Sequence, residues 1–125
     1  MVNLLLIGSG GFVGSVARYL LSRAMQLLLP QLGIPAGTLS VNVLGCLLAG
    51  LLGGLLESRL ELSPELQLFL FVGVLGGFTT FSAFGYETFN LLRTAHPLVA
   101  GANILLQLAL GLGAVCLGHW LAQRI

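Results

Sequence analysis

Charged side chains are too sparse along this chain to coat a globule in water. Of 125 residues only 7% are charged, while 57% are hydrophobic. A soluble domain carries about 25% charged residues, because its surface must hold water. Lipid must do the coating instead, so the chain reads as an integral membrane protein. Its length limits it to one domain, residues 1–125. The net charge is +1, with no lysine and no aspartate, which offers nucleic acid nothing to bind. Cys46 and Cys116 lie in apolar runs without metal-ligand spacing and read as small buried hydrophobes. No cleavable signal peptide is expected, since the N-terminus shows neither a basic region nor a small-residue cleavage site.

A membrane-crossing helix needs about 20 mostly apolar residues, and the sequence supplies four such stretches. The first covers about residues 2–21, with Arg18 and Arg23 near its exit and Pro30, Gly33 and Pro35 marking the turn beyond. The second covers about residues 37–56 and ends at Glu57, Arg59 and Glu61. The third starts at Ser63-Pro64-Glu65, a cap followed by proline at the first helical position, and continues to about Arg93. That is too long for one straight crossing, and Gly76-Gly77-Phe78-Thr79-Thr80 near its middle predicts a break. The fourth follows His96-Pro97 and ends near Ala122. Four crossings return both termini to the same side.

Small residues recur at helical spacing: Gly10 and Gly14; Cys46, Gly50 and Gly54; Gly73 and Gly77. Such stripes let helix backbones approach closely in lipid. Positive charge normally orients membrane helices, but here Arg59 and Arg124 on one side oppose Arg23 and Arg93 on the other, with Arg18 deeper. The bias is at most one charge. A chain so weakly oriented is expected to insert both ways round, and an antiparallel, dual-topology dimer follows.

Residues 2–14 (Val-Asn-Leu-Leu-Leu-Ile-Gly-Ser-Gly-Gly-Phe-Val-Gly) also fit a strand feeding a dinucleotide-binding glycine loop. That reading needs an acidic residue about 20 positions on to hold the ribose. The first acidic residue is Glu57, so it is set aside.

Polar side chains deep in a span carry more information, because each is costly in hydrocarbon. Asn42 either makes an interhelical hydrogen bond or offers two amide N–H donors to an anion. The third span carries Thr79-Thr80-Phe81-Ser82-Ala83-Phe84 at its break. Unwound backbone is tolerated at membrane depth where protein buries it or it lines a cavity, and freed carbonyls suit a small hard cation such as Na⁺. Phe81 and Phe84 share a helix face. A ring has a positive edge, so two edges turned into a pore can meet an anion without trapping it. Thr80 and Ser82 add hydroxyl donors. Arg18 either snorkels to the headgroups or forms an anion-attracting vestibule. Glu87 either pairs with an arginine or caps a polar vestibule. His96 and His119 read as span-end residues, and no nucleophile–base pair or metal cluster suggests an enzyme.

Three stretches together resemble one family. Gly10-Gly11-Phe12-Val13-Gly14-Ser15-Val16-Ala17-Arg18-Tyr19, Gly37-Thr38-Leu39-Ser40-Val41-Asn42-Val43-Leu44-Gly45, and the run from Gly73 to Phe84 followed by Glu87 resemble the Fluc (CrcB) fluoride channels over essentially the whole length. The resemblance implies an all-α, four-span protein with a broken third helix. It also implies an antiparallel dimer with two pores that exports fluoride passively across the inner membrane. It further implies a structural Na⁺ at the dimer interface on the backbone carbonyls of Gly76 and Thr79. The pore would be lined by Asn42, Phe81, Ser82 and Phe84, with Arg18 in the vestibule. Members often carry a track of hydroxyl residues along the fourth span. Here that track reads Asn103, Gln107, Gly111, Val115, and the last two lack a side-chain donor. Either the track is shortened, or a paralogous subunit completes the pore. The rival reading, a small dual-topology multidrug exporter driven by protons, needs a carboxylate within the first span, and that span has none.

Overall fold

The computed structural model describes residues 1–58, 61–94 and 96–125. Arg59, counted above in the charge balance, lies outside them. Among the described residues there is no strand, and four helical segments are long and apolar enough to cross a membrane: Val2–Leu28, Ala36–Ser58, Pro64–Arg93 and Pro97–Ala122. The all-α, four-span expectation holds.

Helix α1 (Val2–Leu28) runs unbroken through Gly8, Gly10, Gly11 and Gly14, which removes any strand-and-loop reading of that stretch. It continues beyond the expected end near residue 21, so Arg18 lies within the helix rather than at its exit. A turn with Gly33 at φ 69° leads into α2 (Ala36–Ser58). The third span is composite. Ser63 caps its start by accepting from the Leu66 N–H at 3.3 Å, and Pro64 opens α3 (Pro64–Gln67). A π-helical stretch (Leu68–Leu75) and the short α4 (Gly76–Phe78) follow. Thr79 and Thr80 are extended, with ψ of 155° and 112°. Helix α5 (Phe81–Arg93) then completes the crossing, and α6 (Pro97–Ala122) forms the fourth span. The break falls on Thr79-Thr80, inside the predicted segment.

Two parallel helix pairs make the bundle. Along α1 and the first arm of the third span, Gly10 faces Gly73, and Gly14 faces Val74 and Phe78. Along α2 and α6, Asn42 meets Gln107, Cys46 meets Gly111, Gly50 meets Val115, and Gly54 meets His119 and Ala122. Numbers rise together in both pairs, so alternate spans point the same way. The small-residue stripes are where backbones touch, which is how helices associate without a hydrophobic drive between them. At the far end of the second pair His119 Nε2 lies 3.8 Å from Glu57 Oε2.

This close approach makes a prediction. A Cβ on Gly14 would overlap the Val74 carbonyl and sit 2.8 Å from the Phe78 backbone nitrogen. Gly14→Val should cost about 3 kcal/mol or more and abolish monodisperse protein in detergent. Gly8→Val, at a glycine with nothing within 4 Å, should behave as wild type. Equal melting of the two variants would show that this contact does not hold the bundle.

Candidate functional site

The break in the third span determines which polar groups become available. In a continuous helix the Thr80 N–H would bond the Gly76 carbonyl, and the Ala83 N–H would bond that of Thr79. Both donors are diverted to side chains. The Thr80 N–H goes to Asn42 Oδ1 at 2.9 Å, and the Ala83 N–H goes to Thr80 Oγ1 at 3.2 Å. The carbonyls of Gly76 and Thr79 are thereby released from the helix ladder. They are the two expected to hold Na⁺, and oxygen donors suit a hard cation. Gly76 is exposed in the single chain. Thr79 closes the first arm, its N–H and hydroxyl both bonding the Leu75 carbonyl at 2.9 Å.

Asn42 clamps the unwound turn from α2. Its Oδ1 accepts from the Thr80 N–H, and its Nδ2 donates to the Thr80 carbonyl at 3.2 Å and to Gln107 Oε1 at 3.1 Å. The alternatives left open for Asn42 resolve towards interhelical bonding: both amide hydrogens are engaged, so neither is free for an ion. This geometry also fixes the amide orientations. A backbone N–H must meet an oxygen, which orients Asn42, and the Asn42 NH₂ then requires the oxygen of Gln107. The Gln107 Nε2 faces the remaining side, buried and without a partner among the described residues. Donor capacity has passed from Asn42 on α2 to Gln107 on α6.

Two cavities meet at this clamp. One, of about 630 Å³, is lined by Ser15, Arg18, Arg23, Thr38, Thr80 and Glu87, among others. The other, of about 340 Å³, is lined by Asn42, Cys46, Thr79, Thr80, Phe81, Phe84 and Gln107, among others. Thr80 belongs to both, so the unwound turn is the partition between a charged vestibule and an aromatic chamber. Phe81 and Phe84 stand edge to face, with centroids 5.5 Å apart and planes at 62°. Phe81 is 81% exposed in the single chain. Thr80 Oγ1 and Ser82 Oγ lie 3.2 Å apart. One hydroxyl donates to the other, which leaves one O–H between them for a ligand.

Arg18 and Glu87 both face the larger cavity. Glu87 makes no ion pair there among the described residues. Its Oε1 accepts from the Thr38 hydroxyl at 2.7 Å, and its Oε2 is buried without a partner. Of the two sequence expectations for Glu87, lining the vestibule is the one the geometry supports. Asn103 lies fully buried, donating to Thr88 Oγ1 at 2.9 Å, and lines neither cavity. The fourth-span track therefore reaches the chamber at Gln107 but not at Asn103. Gly111 is buried, and Val115 lines the chamber without a donor. The cysteines also depart from expectation: Cys46 is half-buried in the chamber wall, and Cys116 is exposed on the outer surface. Sequence reasoning missed Cys46. The signal was available, since Cys46 is one helical turn from Asn42 and shares its face.

A family model described as CrcB-like protein, Camphor Resistance (CrcB) matches residues 5–119. The chain belongs to the CrcB family. Its relatives include a protein named fluoride-specific ion channel FluC from Ruminiclostridium cellulolyticum, 44% identical over 125 residues that cover 100% of this chain and 95% of that one. The FluC of Chlorobaculum tepidum is 45% identical over 123 residues, covering 98% and 96%. That of Methylobacillus flagellatus is 40% identical over 123 residues, again covering 98% and 96%. Membership in the CrcB family, with four crossing helices, makes this a multi-pass membrane protein and not an enzyme.

Proposed function

We propose that two copies of this chain, inserted in opposite orientations, form a passive channel that lets fluoride leave the cytoplasm across the inner membrane. The observation that carries the reading is the partition at Thr80, with arginines on one side, the rings of Phe81 and Phe84 on the other and unfilled donors at the junction. Fluoride is small and strongly hydrated, so a pore must replace its water at little net cost. Arg18 and Arg23 raise anion concentration in the vestibule without entering the narrow path. Beyond the partition the ion meets the free Thr80/Ser82 hydroxyl, the Gln107 NH₂ and the positive edges of Phe81 and Phe84. All are partial charges, and conduction needs sites that bind weakly enough to release.

The dimer is supported by the exposure of Phe81 and Gly76, which a single chain leaves open to lipid. Each pore would be walled on its open side by the second copy. The released carbonyls of Gly76 and Thr79, contributed twice, fit a structural Na⁺ at the interface, which would tie the two breaks together.

The test is fluoride efflux from liposomes containing this chain alone, read with a fluoride electrode and with chloride and proton controls. Fast, passive, fluoride-selective efflux is expected. Monodisperse protein that releases no fluoride would overturn the self-sufficient dimer. Efflux appearing only with a paralogous chain would assign that chain to the other half of the pore.

A further inference from the structure

The fourth-span track has no side-chain donor at Gly111, and the structure puts something else in that place. A Cβ on Gly111 would lie 3.5 Å from Cys46 Sγ, in ordinary contact with it, so the thiol of α2 stands beside the position where a side chain of α6 would begin. Cys46 lines the aromatic chamber together with Phe81, Phe84 and Gln107. It is a free thiol. A second observation marks the same chamber as a ligand site: Gln107 is 9% exposed and its Nε2 has no partner among the described residues. A buried donor left unpaired is costly, so a residue of this chamber's lining has an N–H still to satisfy.

We infer that Cys46 supplies, from α2, the donor that α6 lacks at Gly111. Resting on the fluoride reading, the path crosses from Gln107 on one helix to the Cys46 S–H on the other. A neutral thiol is a weak donor, which suits a step that must not trap the ion. The track then passes between helices where it looks shortened on one. The same placement exposes the thiol to soft cations that enter the chamber. Hg²⁺ would displace the thiol proton to water and form an S–Hg bond across the path.

The experiment compares Cys46→Ala with Cys46→Ser in reconstituted liposomes, beside Hg²⁺ treatment of a Cys116→Ala protein that keeps Cys46. Wild-type efflux tests the channel reading separately, so its failure is distinguishable from failure here. Cys46→Ser, which keeps a donor at the site, should conduct faster than Cys46→Ala, which should lose about five- to tenfold, the effect of one modest hydrogen bond. Hg²⁺ should block Cys116→Ala and spare the Cys46→Ser/Cys116→Ala double variant. Equal efflux from the alanine and serine variants would overturn the donor role, as would loss of efflux in both, which would mark the position as packing. Unimpeded efflux from Cys116→Ala after Hg²⁺ would remove the thiol from the ion path.

Discussion

Replacing Asn42 with alanine should lower the melting temperature and bring fluoride efflux to background in the same protein. The two losses share a cause. Asn42 alone satisfies the Thr80 N–H and adds a second bond to its carbonyl, and a buried backbone N–H left without a partner costs about 1–3 kcal/mol. The same amide orients Gln107 through Oε1, so its removal also lets the Gln107 NH₂ turn away from the chamber. Gln107→Leu separates the two effects, because it deletes the free donor and leaves the Thr80 clamp intact. It strands one Asn42 N–H but not the Thr80 backbone, so it should cost no more stability than Asn42→Ala, yet reduce efflux about tenfold. In the double variant the efflux losses should not add, since residues in one hydrogen-bonded network couple. An Asn42→Ala protein that melts like wild type would mean the clamp does not hold the break. An Asn42→Ala protein that conducts normally would mean the relay to Gln107 is irrelevant.

The elements that sequence conveyed best are those fixed by one-dimensional physics. Span number follows from hydropathy, and the Pro64 start follows from a cap that bonds Leu66 within the same segment. The break at Thr79-Thr80 was legible because Gly76-Gly77 weakens a helix and a threonine can satisfy freed backbone locally, as Thr80 does for the Ala83 N–H. Pairing between helices was legible only as stripes. Gly10, Gly14, Gly73 and Gly77 announced a close contact, but nothing in their spacing said that α1 meets the third span while α2 meets α6. The role of Asn42 depends on which atom of a helix 38 positions away is unpaired, and residue type alone does not contain that. Cys46 was invisible for a similar reason: its meaning comes from Gly111 standing opposite on another helix. The limit lies in pairwise geometry, where a polar side chain's function is set by what its neighbour has already satisfied.

The aromatic pair gives the sharpest test of how an anion is held. Phe81→Ile and Phe84→Ile should each abolish fluoride efflux while leaving the protein monodisperse. Isoleucine keeps an apolar side chain at the site but has no quadrupole, so it removes the positive ring edge and little else. The two positions should differ in stability. Phe81 is 81% exposed in the single chain, so its replacement should cost the chain no more than its ring contact with Phe84, about 1 kcal/mol. Phe84 is partly buried, so its replacement should cost the same ring contact, at 5.5 Å, and lost apolar packing besides. Full loss of efflux at Phe81 with the smaller loss of stability would separate conduction from packing, because a structural role ties the larger loss of efflux to the larger loss of stability. Wild-type efflux from either isoleucine variant would end the ring-edge mechanism. The ion would then be handed from the Thr80/Ser82 hydroxyl to Gln107 alone, and the chamber's apolar walls would serve only to keep water out.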